Sequence, residues 1–468
     1  MLYASGMAAD PPPTEPEAIP PLELPLGPTL ATVPAAPGAP GPPTATRPSL
    51  WHHGDFVKLW SAATISLMGS SVSQIAIPFI AAVLLRASAF EVALLGTIEM
   101  LPFLLFALPA GAWLDRVRRR PVMVIGDFGR AIALASIPLA YALGGLTIWQ
   151  LYAVGFVTGA MTVLFDVADQ SYLPALLDPE DLVEGNSKLQ VPASAATVVG
   201  PTLAGSVIGL IGRAASPFAI ILNALSFVAS GGLILAIRRH EPKPERRRGA
   251  DGQHTHLLTE IREGLGYVLG HENLRMIAGS TATSNLGSSI AFSILPVFLY
   301  VELGLSPGLV GVAFGLGGFG LLAGALFAGP IARRVSVGWA IIGSMLISGA
   351  GTLLLVFLPT EPIVAGALIL ASQFIGGFAN VVYNVNQVSY RQAIAPLYIQ
   401  GRMNATMRFL VWGTLPIGSF IGGVLATFLP LRTTILIGAL VMSVAFLWVL
   451  ASPVRSLKTI PTNARPGA

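Results

Sequence analysis

The sequence predicts an all-α integral membrane protein, with twelve transmembrane helices arranged as two parallel repeats of six. Three observations lead there. Apolar residues make up 53% of the 468-residue chain and charged residues only 11%, against about 25% charged in ordinary soluble proteins. From Phe56 onward the apolar residues gather into twelve runs, each near the ~20 residues needed to cross about 30 Å of hydrocarbon. The basic residues between those runs concentrate on alternate loops.

The runs fall near 56–85, 90–114, 121–144, 147–168, 189–211, 215–237, 275–301, 307–332, 337–358, 362–385, 404–428 and 432–452. Only helices can cross hydrocarbon from such segments, because every backbone N–H and C=O must be satisfied inside the span. Connections after the even-numbered runs carry seventeen Lys and Arg residues, those after the odd ones only Arg86, Arg213 and Arg432. That bias puts the even loops and both termini in the cytoplasm.

The predicted organisation follows. Residues 1–50, with 14 prolines and no basic residue before Arg47, form a disordered cytoplasmic tail. It lacks the basic start and apolar core of a signal peptide. A six-helix half occupies 51–238, and a cytoplasmic linker 239–274. A second half runs through 275–454, and a short tail through 455–468. The linker holds Leu257, Leu258, Ile261, Leu265, Val268 and Leu269 at helical spacing, which predicts an amphipathic helix lying on the inner leaflet. The halves repeat at an offset of 218 residues. Gly111 falls on Gly329, Arg116 on Arg334, Phe165-Asp166 on Tyr383-Asn384, and Ser171-Tyr172 on Ser389-Tyr390. Parallel repeats of this kind carry a site between the halves near the midplane.

Composition also excludes. With no cysteine there is no disulfide framework, thiolate metal site or thiol nucleophile. The net charge of +4 is small and scattered between apolar runs, so the pI near 9.5 reflects positive-inside loops rather than nucleic-acid binding. His254 and His256 lack a third ligand, so no metal is expected. Gly315-x-Gly317-x-x-Gly320 lies inside an apolar run and follows no strand, which rules out a dinucleotide loop. No cofactor is expected, and no residue constellation suggests an enzyme.

The candidate functional residues are the polar groups that the membrane makes costly. Glu99 lies about nine residues into the second run, roughly 13 Å deep at 1.5 Å per residue. A buried acid there is a candidate proton site, or a carboxyl hydrogen-bonded for structure alone. Gln74, Asn223, Asn285 and Gln373 are the uncharged polar residues deepest in their runs, placed either to line a cavity or to bond neighbouring helices. Asp127 and Arg130, three apart and on one helix face, with Asp166 and Asp169, are gate or structural charges near the cytoplasmic side. Gly200, Pro201 and Gly205 combine a kink with close packing in the fifth run.

Between the second and third runs stands Gly111-x-x-x-Asp115-Arg116-x-Arg118-Arg119-Arg120. This pattern resembles the signature loop of the major facilitator superfamily, and the twelve runs, the repeat and the central linker agree over 55–455. The resemblance implies the major facilitator fold. It also implies a cytoplasmic gate built on Gly111, Asp115, Arg116, Arg119 and Arg120, with Asp115 reaching the start of the eleventh helix. Arg118 replaces the family's usual second glycine. Leu101-Pro102-Phe103, Phe165-Asp166-Val167-Ala168 and Arg402-Met403-Asn404-Ala405-Thr406-Met407-Arg408-Phe409 look like the bacterial siderophore and macrolide exporters, and Arg408 joins the candidate gate charges. The expectation is a bacterial inner-membrane secondary transporter, monomeric, exporting a small amphiphilic molecule in exchange for protons. Import or lipid flipping on the same fold, and a non-transporting membrane scaffold using Pro11-Pro12-Pro13, are the alternatives.

Overall fold

The computed structural model describes residues 49–114, 117–178, 181–239, 241 and 257–459. The proline-rich segment through residue 48, Asp115 and Arg116 of the loop motif, and His254 and His256 lie outside them. Every regular element among the described residues is helical. The first half comprises α1 (Gly54–Phe79), α2 (Ala89–Leu114), α3 (Arg119–Ala142), α4 (Ile148–Leu176), α5 (Leu182–Ala215) and α6 (Ile220–Leu235). A linker helix α7 (Leu257–Gly270) leads to α8 (Glu272–Val297). The second half continues with α9 (Pro307–Gly317) and α10 (Phe319–Val335), one crossing broken at Gly318, then α11 (Val337–Leu353) and α12 (Pro362–Ile394). The eleventh crossing is α13 (Leu397–Trp412) with α14 (Thr414–Phe428), and the twelfth is α15 (Leu431–Val444) with α16 (Phe446–Leu450).

By length and apolarity the described residues hold eleven membrane-spanning helices, of which Glu184–Leu235 is 52 residues long. At 1.5 Å per residue that helix would measure about 78 Å, more than twice the hydrocarbon thickness. It is two crossings. The chain breaks at Gly212 (φ 81, ψ 169), a conformation essentially restricted to glycine, and a 3₁₀ turn at Ser216–Ala219 starts the return.

The repeat is visible in the backbone itself. α1 and α8 begin 218 residues apart, carry Pro78 and Pro296 at that same offset, and both run into π turns, Ile80–Leu84 and Phe298–Glu302. Arg86 and Gly304, again 218 apart, both have positive φ (52° and 66°). The starts of α2 and α9, the starts of α3 and α11, and the ends of α4 and α12 keep the offset as well. Ser88 and Ser306 cap α2 and α9 at equivalent positions through backbone N–H bonds to their hydroxyls.

Helices outrun the apolar segments at one end of the bundle. α4 continues to Leu176, α12 to Ile394, and α5 starts at Leu182, all several residues beyond the predicted runs. Hydropathy reads where hydrocarbon ends, whereas a helix can continue into water. This end also carries the linker and most of the arginines, and is called the basic end below.

Packing differs between the two ends. At the far end one apolar cluster spans both halves, joining Val72, Phe79 and Ile80 of the first to Phe298, Tyr300 and Leu303 of the second. The Phe79 and Tyr300 rings meet edge-on at 5.0 Å. At the basic end there are two separate clusters, one per half: Phe56, Met123 and Tyr172 in the first, Ile277, Met403 and Val449 in the second.

Helix α7 rests partly on the second half: Val268 is fully buried, Gly264 abuts the Arg402 carbonyl and Thr406 of α13, and Glu263 pairs with Arg402, while Leu269 stays exposed.

Candidate functional site

Close approach between the halves depends on small residues. Ser419 of α14 donates its hydroxyl to the Ala93 carbonyl of α2 at 2.7 Å, and Gly96 leaves room for it. A Cβ on Gly205 of α5 would strike the Pro307 carbonyl and lie 2.9 Å from the Gly311 Cα of α9. Within the first half, Gly200 of α5 likewise admits Ser71 of α1. α5 stays helical through Gly200-Pro201, and its non-helical residue is Gly212 instead. Pro201 has no N–H, so the Thr197 carbonyl one turn earlier loses its helical partner.

Below the far-end cluster, between the halves, is a cavity of about 540 Å³. α1 and α5 supply Ser70, Gln74, Thr197 and Pro201. Facing them are Ser288 and Phe292 of α8, Phe314 of α9, Thr352 of α11, and Gln373 and Asn380 of α12. Two sequence candidates, Gln74 and Gln373, therefore line one cavity from opposite halves. It offers hydroxyls, amides and a freed carbonyl among apolar and aromatic walls, and no ionisable side chain among the described residues lines it.

Asn223 and Asn285 do not line it. Asn223 is buried, donates to Ser73 Oγ at 2.6 Å and receives Ser226 Oγ. This cements α6 to α1. Asn285 donates to the Val411 carbonyl at 3.1 Å, next to the break at Gly413. There Pro416 leaves the Trp412 carbonyl without a helical donor.

Glu99 is also outside the cavity lining. Half-buried on α2, it packs against α4, where Gly155 lies beside its Cβ and Gly159 beside its carbonyl. No described residue makes a hydrogen bond or ion pair with its carboxylate. It stands three residues past Gly96, on the helix that meets α14.

The charges near the basic end form a cluster. Arg130 is buried, donates to Asp127 Oδ1 at 2.6 Å, and lies between the Phe165 and Phe227 rings at 4.4 and 4.1 Å. Asp166 and Asp169 of α4 also attract it. Asp127 Oδ2 is buried without a hydrogen bond, beside Ser230 of α6. Arg408 of α13, stacked on Trp412 at 4.8 Å, is the second-half charge that attracts Asp166. The composition of the cluster is thus three carboxylates around one buried guanidinium, with a second guanidinium from across the interface.

Of the loop motif, Asp115 and Arg116 lie outside the described residues, and Gly111 is described only as part of α2. Arg119 and Arg120 are anchored within the first half. Glu241, following α6, accepts the Arg119 and Arg120 backbone N–H groups at 2.7 and 3.0 Å and caps α3. Arg120 donates to the Ile234 carbonyl at 3.0 Å and to that of Leu235, capping α6 in turn. Sequence reasoning passed over Glu241, one of several acids in a linker rich in arginine. Its pairing needs α3 and α6 to end side by side.

The match to known proteins agrees with this architecture. The family model described as transmembrane secretion effector, within the major facilitator superfamily, matches residues 48–466. The chain belongs to this family of transporters. Multidrug efflux pump Tap of Mycolicibacterium fortuitum is 25% identical over 431 residues, 88% of this chain and 98% of that protein. The uncharacterized MFS-type transporter YfiS of Bacillus subtilis is 24% identical over 90% of this chain and 99% of YfiS. Among solved structures, a nucleoside transporter NupG variant shares the fold at TM-score 0.69 and 15% identity, covering 85% of this chain and 99% of that one. A bacterial ferroportin homologue in an inward-facing state gives 0.62 at 18% identity, covering 85% and 98%. As a member of this family the chain is a multi-pass membrane transporter of small molecules, not an enzyme.

Proposed function

We propose that this transporter exports small amphiphilic molecules from the bacterial cytoplasm by alternating access, in exchange for protons, acting as a monomer in the inner membrane. The cavity between the halves carries the reading. It joins hydroxyls and amides to aromatic surface, contains no fixed charge, and is made entirely by one chain. Such a lining takes uncharged or weakly charged amphiphiles by shape and a few hydrogen bonds. The alternate-loop arginines support a cytoplasmic basic end with both termini, and on that reading the sealed far end makes the molecule inward-facing at rest. Similarity to a multidrug efflux pump supports the outward direction.

In this reading the loop motif Gly111, Asp115, Arg116, Arg119 and Arg120 belongs to the cytoplasmic gate, and Arg408 closes on Asp166 as the inner ends approach. Glu99 carries the proton. Because it lies outside the cavity, it acts on orientation rather than by competing with substrate in one pocket: its charge biases the α2–α14 contact. The acidic cluster supports a second proton site, since three carboxylates against one buried guanidinium leave a charge that protonation relieves. Of the two α4 acids, Asp166 faces Arg408, and Asp169 has no second-half partner among the described residues.

Proton release from the detergent-purified protein on adding a panel of antibiotics and siderophore-like compounds tests both. Release that is lost in Glu99→Gln and kept in Asp169→Asn assigns Glu99; the reverse assigns the cluster. Ligand binding without proton release in any of the three proteins refutes antiport. Import or flipping is separated by direction: exporters load everted vesicles on imposing an inward-acid gradient.

A further inference from the structure

A second large concavity lies on the membrane face of the second half. It measures about 460 Å³ and is bounded by Ile331 and Val335 of α10, Trp339, Gly343 and Ile347 of α11, and Phe378 and Val382 of α12. α10 and α11 part after the turn at Ser336 (φ 83), so α12 forms the floor of a furrow running inward from the basic end. Its length follows α11 for two turns, and a Cβ on Gly343 would meet nothing within 4 Å.

The furrow adjoins the central cavity without joining it. α12 turns Gln373, Gly376 and Asn380 to the cavity and Phe378 and Val382 to the furrow. Glycines close the seam. A Cβ on Gly320 or Gly324 of α10 would run into the backbone of Phe374 or Phe378. A lateral passage for substrate is therefore blocked here.

The mouth of the furrow is basic. Arg334 is three residues beyond Ile331, on the same helix face, and Arg333 adjoins it. The chain after α16 returns to the start of α11, where Gly338 N–H donates to the Leu457 carbonyl at 3.0 Å. This return brings in Arg455 and Lys458. All four side chains are exposed, and none forms an ion pair among the described residues. From residue 303 to the end of the chain the only acid is Glu361, at the start of α12 and hence at the far end. Orienting the chain needs positive charge somewhere on this side, but it does not need an apolar furrow beneath four cations that lack an ion pair among the described residues.

We infer that this furrow binds an anionic phospholipid of the cytoplasmic leaflet, with one acyl chain between α10 and α11 over α12 and the phosphate against Arg333, Arg334, Arg455 and Lys458. Exposed Trp339 stands at the headgroup level, where indole rings are favoured, and basic side chains there attract the anionic leaflet. A lipid so placed ties the α10–α11 turn to the C-terminal return. The inference takes its leaflet from the cytoplasmic assignment of the basic end, and it is tested without transport, so its failure leaves the export reading standing.

The test is native mass spectrometry of the full-length protein, comparing retained dioleoyl phosphatidylglycerol with dioleoyl phosphatidylcholine. The wild type should retain phosphatidylglycerol selectively. Arg334→Gln should lower that preference about five-fold, the effect of removing one basic side chain near the headgroups. Gly343→Leu, which fills open space, should abolish selective retention, with Gly343→Ala and thermal unfolding as the folding controls. Equal retention of the two lipids would overturn the inference, as would selectivity unchanged in both variants. So would a Gly343→Leu protein that keeps its lipid but loses binding of amphiphilic substrate, which would make the furrow a substrate path.

Discussion

At the scale of single residues, membrane burial separates charges that are held from charges that are free to change. Arg130 is held, by Asp127, by two aromatic faces and by the acids of α4. Arg130→Ala would leave Asp127 buried beside an already unsatisfied oxygen. Losing one partner of a buried pair costs about 3–5 kcal/mol, so the variant should show a clearly lowered thermal unfolding midpoint in detergent, and Asp127→Asn a much smaller drop. Glu99 is the opposite case. With no described hydrogen bond or ion pair to lose, Glu99→Gln should unfold at the wild-type temperature while losing pH-driven transport. A destabilised Glu99→Gln would mark the carboxylate as structural. The sequence exposed both groups, since charges in apolar runs are conspicuous. It could not sort them, because the aromatic box around Arg130 draws Phe165 and Phe227 from different helices. Gln74 and Asn223 were equally deep in their runs, and only packing assigns one to the cavity and the other to the α1–α6 seam.

At the scale of elements, periodicity located the helices and missed what their ends do. The linker helix was legible almost to the residue, yet its contact with α13 was not. The decisive residue is Gly264. Glycine is a poor helix former and reads from sequence as a weakness, but here it lets α7 lie directly on the Arg402–Thr406 backbone. Gly264→Val should push α7 away and expose Val268 and Met403, which limited proteolysis of the linker would register as faster cleavage. Glu263→Gln should barely change the cleavage rate, because an exposed ion pair contributes at most about 1 kcal/mol. Equal cleavage of wild type and Gly264→Val would mean that α7 is not held by this contact. The Gly212 break was legible in part. The runs 189–211 and 215–237 leave it between them with Arg213, but one glycine among many gives no sign of being the one with positive φ.

At the scale of the whole molecule, the repeat was the most legible feature and the conformation the least. A single offset of 218 residues, found from a few polar and glycine matches, recurs in helix starts, π turns and positive-φ positions, because equivalent segments solve the same backbone problem in each half. Which end of the bundle is closed leaves no trace in such a pattern, since both halves must pack at either end during a cycle. The far-end seal decides it, and Phe79 and Tyr300 are its clearest pair, one from each half with rings 5.0 Å apart. The chain contains no cysteine, so Phe79→Cys with Tyr300→Cys gives a two-thiol protein without further changes. In an alternating-access cycle the far ends must separate to release substrate. A short thiol-reactive cross-linker should join the pair in resting membranes and stop transport, and cleaving the linker should restore it. Each single cysteine treated alike should keep transporting. Full transport by the cross-linked protein would mean that the far end need not open, and the rocking of two halves about the central cavity would fail with it.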